Sequence, residues 1–369
     1  MQVLHIPGSP EFKSPEHLNV SLNICITEPE FRASWQKLKT DSSKSSCHLQ
    51  GCVNIDFRTF RRILRIEGLI PFTLCAILIG FIVTLREVGF TGADWILFII
   101  AGLAALLIHI DGHIWNDIMD LEIDRHEKSR ETGRDRPLVY GWSTVGDYRK
   151  MSVVITVLVV ILAAYLTTQR VFIPLLIILG FFFAYGYNYP RIALAYHPFT
   201  EWYIFPWLVV GVTVTVVYAA TGKFSLLAFI LSLLHGLTVT CFVVSMMRRD
   251  ARSDRQGGKS TSSVRYPNVP HSTIYGIISL LVSFLMLYPL ERVLGSMDLA
   301  YMLVLATIII AGINTVLGAG IDQLCSRAMY SSFPDFEQKT HELVLYQIGA
   351  SVIHVVAMSI IFVMFGGIV

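Results

Sequence analysis

Nine apolar stretches dominate this chain of 369 residues, at about 68–88, 94–115, 151–168, 171–189, 202–221, 225–247, 272–290, 299–320 and 343–368. A bilayer core about 30 Å thick takes roughly 20 apolar residues per helix. The spacing therefore predicts an all-α, polytopic membrane protein of about nine transmembrane helices. Pro174 and Pro206 interrupt two of the stretches, which membrane helices tolerate because neighbours re-satisfy the freed carbonyls. The composition agrees: 54% of residues are hydrophobic and 15% charged, with a mean hydropathy of +0.59. A water-soluble domain would need far more polar surface.

The net charge of +2 identifies no partner, and nothing in it calls for nucleic acid. The distribution of charge is more informative. With a cytosolic N-terminus, one set of loops carries Arg125, Lys128, Arg130, Arg134, Arg136, Arg149 and Lys150, then Arg191, then Arg248, Arg249, Arg252, Arg255, Lys259 and Arg265, then Arg327 and Lys339. The opposite set offers little beyond Arg86, Arg170, Lys223 and Arg292. By the positive-inside rule the first set is cytosolic and the C-terminus lies across the membrane. Residues 1–55 have no long apolar run and no cleavable signal. They read as a cytosolic, disordered tail, and residues 56–369 as one membrane domain. The expected membrane is the endoplasmic reticulum. Cys25, Cys47, Cys52, Cys75, Cys241 and Cys325 are scattered and form no CxxC pair, which argues against a disulfide framework or a zinc site.

Two acidic clusters sit at the ends of apolar stretches. One is Asn116-Asp117-Ile118-Met119-Asp120-Leu121-Glu122-Ile123-Asp124; the other is Asp250-Ala251-Arg252-Ser253-Asp254. They end the second and sixth stretches, an offset of four helices. That arrangement predicts two four-helix halves plus one extra helix around a central cavity. Asn116, Asp120 and Asp124 are spaced i, i+4, i+8, and Asp250 and Asp254 i, i+4. On a helix such residues share one face, about 6 Å apart per step. Stacked like charges destabilise a helix end unless cations offset them. Hard oxygen donors in this pattern suit Mg²⁺, which takes one or two carboxylates plus phosphate oxygens and water. Asp120, Asp124, Asp250 and Asp254 are the expected metal ligands, with Asn116 and Asp117 assisting. Lys128, Arg136 and Lys259, each a few residues past a cluster, are the expected diphosphate contacts. Glu122, Glu127, Glu131 and Asp135 read as a solvated face.

Asn116-Asp117-x-x-Asp120-x-x-x-Asp124, the later Thr132…Arg136-Pro137-Leu138-x-x-Gly141, and Asp250-x-x-x-Asp254 followed by Gly258-Lys259-Ser260-Thr261 together resemble the motifs of the UbiA superfamily of intramembrane prenyltransferases. Arg65-x-Glu67 is a weaker echo. The resemblance spans about residues 57–369. It implies a UbiA-like bundle around a central cavity and a prenyl diphosphate donor ionised by Mg²⁺ between the two motifs. The family's second motif commonly follows a Tyr, whereas Ser245-Met246-Met247-Arg248-Arg249 precedes it here.

The expected activity is transfer of a prenyl group, most readily from farnesyl diphosphate, to a small acceptor, with an aromatic ring among the candidates. The alternative is a membrane terpene cyclase, in which a double bond of the same chain attacks the cation. A transporter is disfavoured, because transporters place ionisable groups near the bilayer midplane. Four further features stand apart. Phe181-Phe182-Phe183 with Tyr185, Tyr187 and Tyr189 could stabilise a cation or simply mark the interface. His109 and His113 lie two turns and one turn before Asp117 and read either as ligands or as polar residues of a helix end that faces a cavity. Asp111 is unusually deep and reads either as a cavity-facing polar contact or as part of the site. Asp322 reads as an interfacial charge.

Overall fold

The computed structural model describes residues 62–127, 136–189, 192–330 and 336–366. The tail 1–55 and Lys128 lie outside the described residues, as do Glu131, Thr132 and Asp135. The described residues form helices α1 (Ile70–Val88), α2 (Trp95–Met119), α3 (Val145–Gln169), α4 (Ile173–Asn188), α5 (Thr200–Thr221), α6 (Leu226–Gln256), α7 (His271–Leu294), α8 (Met297–Arg327) and α9 (Gln338–Phe365). Eight of these are long and apolar enough to cross a membrane; α4, with 16 residues, is the shorter apolar helix. The protein is an integral, multi-pass membrane protein, and the expectation of about nine helices holds.

Several helices run past the apolar stretch that announces them. Helix α6 continues beyond Met247 to Gln256 and carries the second acidic cluster on its last turns. Helix α3 begins at Val145, where Thr144 and Asp147 form a reciprocal capping box. Asp94 and Ser225 cap α2 and α6 through their side chains, accepting from the N–H groups of Leu97 and Ala228. Capping satisfies the orphan amides at a helix start and is independent of hydropathy.

Helix α6 is the axis of the bundle. Within its apolar window 89% of residues are buried, against 17% for α3, which faces lipid. Gly236 lets α5 approach closely: a Cβ there would stand 2.8 Å from the Pro206 Cα. Several polar groups inside the bundle are paired across helices, as buried hydrogen-bonding groups favour. His235 Nε2 bonds the Pro71 carbonyl at 2.8 Å, and His354 Nε2 the Thr307 hydroxyl at 2.9 Å. Asn314 donates to the Thr238 carbonyl at 3.2 Å, and Gln347 to the Asn314 carbonyl at 3.0 Å. Cys75, Cys241 and Cys325 are buried free thiols.

Candidate functional site

The first acidic cluster straddles the end of α2. The helix stops at Met119, Asp120 takes φ −88° and ψ 4°, and a short helix resumes over Leu121–Glu127. The backbone bonds Asp120 N–H to Asn116 O (2.9 Å) and Asp124 N–H to Asp120 O (2.8 Å) survive the break, so the i, i+4, i+8 face is preserved. Asp117, Asp120 and Asp124 are all buried. Each already meets a cation. Arg65 pairs with Asp117 and also donates to Asn116 Oδ1 at 3.0 Å. Arg136 reaches Asp117 at 2.8 Å and Asp124 at 3.4 Å. Lys259 donates to Asp120 at 2.7 Å. The Asn116 amide bridges Asp120 (2.7 Å) and Asn188 (3.1 Å), and the Tyr148 hydroxyl donates to Asp117 at 3.4 Å. Arg65 is held at φ 44°, a left-handed backbone that a long side chain seldom adopts. Such strain persists where the surroundings over-determine it.

The second cluster stays on an unbroken helix. Asp254 is buried and Asp250 half-buried. Arg249 chelates the Asp250 carboxylate at 2.8 and 3.2 Å. Past the end of α6, Gly258 at φ 79° turns the chain back, a conformation glycine adopts without a Cβ clash. The turn brings Lys259 between the two clusters, 2.7 Å from Asp120 and 3.8 Å from Asp254. Burial disfavours the charge on Lys259, but Asp120 and Asp254 outweigh that and hold its pKa well above the ordinary value. The Tyr196 ring lies under the same ammonium at 5.6 Å, with its hydroxyl 3.5 Å from Asp120. Burial, then the Asp120 charge, push the Tyr196 phenol up to about 12.

Both clusters open onto one cavity of about 900 Å³, toward the upper end of the roughly 300–1,000 Å³ usual for small-molecule sites. All five aspartates, Asn116, Arg65, Arg136, Arg249 and Lys259 line it at one end. Phe72, Phe183, Tyr187, Phe205, Phe229 and Phe242 are among its aromatic lining. A greasy chamber with a charged end suits an amphiphile carrying an anionic head.

The donor set fits a hard divalent cation. Carboxylates from two helices converge, and the space between Asp120 and Asp254 already accepts a positive charge, that of Lys259. Among the described residues no three His, Cys, Asp or Glu side chains stand close enough to form a closed protein-only metal cage.

Of the residues expected from sequence, Asn116, Asp117, Asp120, Asp124, Arg136, Asp250, Asp254 and Lys259 all line this cavity. Arg65, Arg249 and Tyr196 are partners that spacing alone did not reveal; only the Arg65-x-Glu67 echo pointed at one of them. Three readings change. Asp322 is no interfacial charge: it is buried, accepts from the Thr273 N–H and hydroxyl at 2.8 Å each, and lies 3.4 Å from Arg248. Asp111 does not line the cavity but bonds Tyr185 between α2, α3 and α4. The aromatic group divides, with Phe183 and Tyr187 lining the cavity while Phe182 and Tyr189 are exposed. Glu122 is exposed and pairs with Arg125, the solvated face expected of it.

The sequence over residues 73–331 matches the UbiA prenyltransferase family. A structure of a UbiA homolog from Archaeoglobus fulgidus bound to GPP and Mg²⁺ superposes with a TM-score of 0.54 at 14% identity, covering 81% of this chain and 99% of that one. The same homolog bound to DMAPP and Mg²⁺ gives 0.51 at 13% identity, covering 79% and 98%. A digeranylgeranylglyceryl phosphate synthase gives 0.50 at 16% identity, covering 81% and 98%. At these identities the likeness is one of fold. No curated protein matches the sequence.

Proposed function

The chain belongs to the UbiA prenyltransferase family, and we propose that it ionises an isoprenyl diphosphate, farnesyl diphosphate first among them, and transfers the prenyl group to a small acceptor. The observation that carries this reading is the convergence of two acidic clusters and four cations at one end of an apolar cavity. The binding of GPP and DMAPP with Mg²⁺ by the Archaeoglobus fulgidus homolog supports it.

Five carboxylates repel a diphosphate unless positive charge offsets them. Arg65, Arg136, Arg249 and Lys259 offset four, and the incoming anion restores the deficit. Mg²⁺ held by Asp120, Asp124, Asp250 and Asp254 would supply the remaining charge and act as a Lewis acid toward the leaving diphosphate, an effect worth several kcal/mol. Asn116 and Asp117 orient the first cluster through Asn188, Arg65 and Arg136. Arg136 and Lys259, whose donors meet Asp117, Asp124, Asp120 and Asp254, would turn part of that donor set to the diphosphate. The apolar walls exclude the water that would quench an allylic cation. A cavity of about 900 Å³ supports a reading in which a prenyl chain and a second reactant would be held together.

One observation favours cyclisation instead. Aromatic faces line the cavity beyond the clamp, where they could stabilise a cation moving along a folded chain. The two readings separate in one assay. Microsomes carrying the protein receive farnesyl diphosphate and Mg²⁺, first alone and then with a phenolic acceptor, and products are read by mass spectrometry. A prenylated phenol that needs the acceptor supports transfer. A cyclic hydrocarbon formed without acceptor and lost in Asp120→Ala/Asp250→Ala overturns transfer in favour of cyclisation.

We assign the protein to the endoplasmic reticulum with its N-terminus and the clamp on the cytosolic side, and the basic loops support that orientation. Protease protection of an N-terminal tag in sealed microsomes contradicts it.

A further inference from the structure

The diphosphate clamp accounts for one end of the cavity and leaves a second polar feature in it. His109 and His113 line the chamber on the same face of α2 as Asp117, at i, i+4 and i+8. At a rise of about 1.5 Å per residue they lie about 12 and 6 Å inward of it. The two imidazoles are packed on each other, with ring centroids 4.5 Å apart. The Thr73 hydroxyl bonds His109 Nδ1, and the Phe72 edge meets the same ring at 5.9 Å. These contacts fix His109 and, through it, the ring of His113. His113 Nε2 faces Gly68 and has no hydrogen-bond partner among the described residues. An imidazole inside an apolar chamber, spared from the salt-bridge network, is unexplained by the clamp.

The chemistry of the cavity supplies a use. Whether an acceptor or the chain's own double bond attacks the allylic carbon, the product-forming step is the same in kind. The C–O bond to diphosphate breaks and its electron pair leaves with the diphosphate. A π pair of the nucleophile forms the new C–C bond, leaving a cationic carbon. A C–H bond beside that carbon then breaks, its pair forms the double bond, and the proton must go to a base. The clamp carboxylates are committed to Arg65, Arg136, Arg249 and Lys259. A neutral imidazole has a lone pair for the proton. Resting on the prenyl diphosphate reading above, we propose that His113 is the general base that takes this proton, with His109 and Thr73 holding its ring. Its place one turn inward of Asp117 suits reaction near the carbon that leaves the diphosphate. His341 also lines the cavity and the departed diphosphate is itself basic, so both are rivals.

The test uses the full-length protein in microsomes with Mg²⁺ and geranyl, farnesyl or geranylgeranyl diphosphate, with and without a phenolic acceptor. Diphosphate release and prenyl products are measured in the same reaction, so the readout is their ratio. In His113→Gln and His113→Phe the ratio of deprotonated prenyl product to diphosphate released falls by at least about tenfold, within the roughly 10²-fold that a positioned base supplies. Water-quenched prenyl alcohol takes its place. A ratio equal to that of the parent protein, with His341→Gln lowering it instead or neither doing so, overturns the proposal. A parallel loss of release and product that leaves the ratio intact shows a structural role and also overturns it. Failure of the underlying reading looks different: the parent protein then releases no diphosphate from any donor, or Asp120→Asn releases it normally.

Discussion

The two acidic clusters share a spacing but are built differently. The first sits on a helix break, has all three of its aspartates buried, and is tied down by Arg65, Arg136, Tyr148 and Asn188. The second rides an unbroken extension of α6, leaves Asp250 half-buried, and draws Lys259 from the turn that follows. One repeated motif is thus set into two different surroundings. Asp117 is held by two guanidinium groups, the setting expected of an anchor in the proposed clamp. Asp120 and Asp254 face each other across a single ammonium, that of Lys259.

That contrast can be broken most directly at Asp120 and Asp254. Asp120→Asn and Asp254→Asn should each lower diphosphate release by roughly 10²–10⁴-fold, the rate equivalent of several kcal/mol of lost charge stabilisation. A stopped assay of diphosphate checks this. Equal activity in either variant removes that residue from the clamp. Lys259→Met should cost about 10²-fold in kcat/KM, because two buried carboxylates lose their shared cation. It should also lower the thermal unfolding midpoint, and added Mg²⁺ should recover more of that loss in the variant than it adds to the parent.

Smaller effects sharpen the anchor assignment. Arg65→Met leaves Asp117 with Arg136 and Tyr148, so about a tenfold loss in kcat/KM is expected, with a lowered unfolding midpoint. A loss as large as that of Asp120→Asn would make Asp117 a direct participant. The pH dependence of stability discriminates too. Lys259 and Tyr196 both have folded pKa values raised above their ordinary 10.5 and 10.0. Their contribution is therefore complete below about pH 10 and is lost as pH rises through the folded values. The unfolding midpoint should carry no slope from either group at neutral pH and should fall in the alkaline range, less steeply in Lys259→Met. The smallest effect belongs to the exposed pair. Glu122→Ala should change activity less than about twofold, since solvent-exposed ion pairs contribute about 0–1 kcal/mol and this one stands outside the clamp.

Length and apolarity fix helix number, so the bundle was legible from hydropathy. Helix ends were less so. Helix α6 runs on through Arg248 to Gln256 because backbone hydrogen bonding does not require apolar side chains once the chain leaves the hydrocarbon. The acidic clusters were legible because like charges at i, i+4 call for a cation whatever the fold. Their partners were not. Arg65 precedes the first span and meets Asp117 at a separation of 52 residues, and Lys259 meets Asp120 at 139. Only tertiary packing makes such pairs. Asp322 misled because a charge near a helix end is ordinarily interfacial. Here it caps the start of α7 and neutralises Arg248, both of which the sequence places far away.

If the two clusters act as one clamp, a double-mutant cycle across them reveals it. Diphosphate release is measured for the parent protein, Asp120→Asn, Asp254→Asn and the double variant, with farnesyl diphosphate and Mg²⁺. A single clamp predicts strong coupling: once either carboxylate is gone the shared anion site fails, and the double variant is about as slow as the slower single one. Losses that multiply, as for two independent sites, would contradict it.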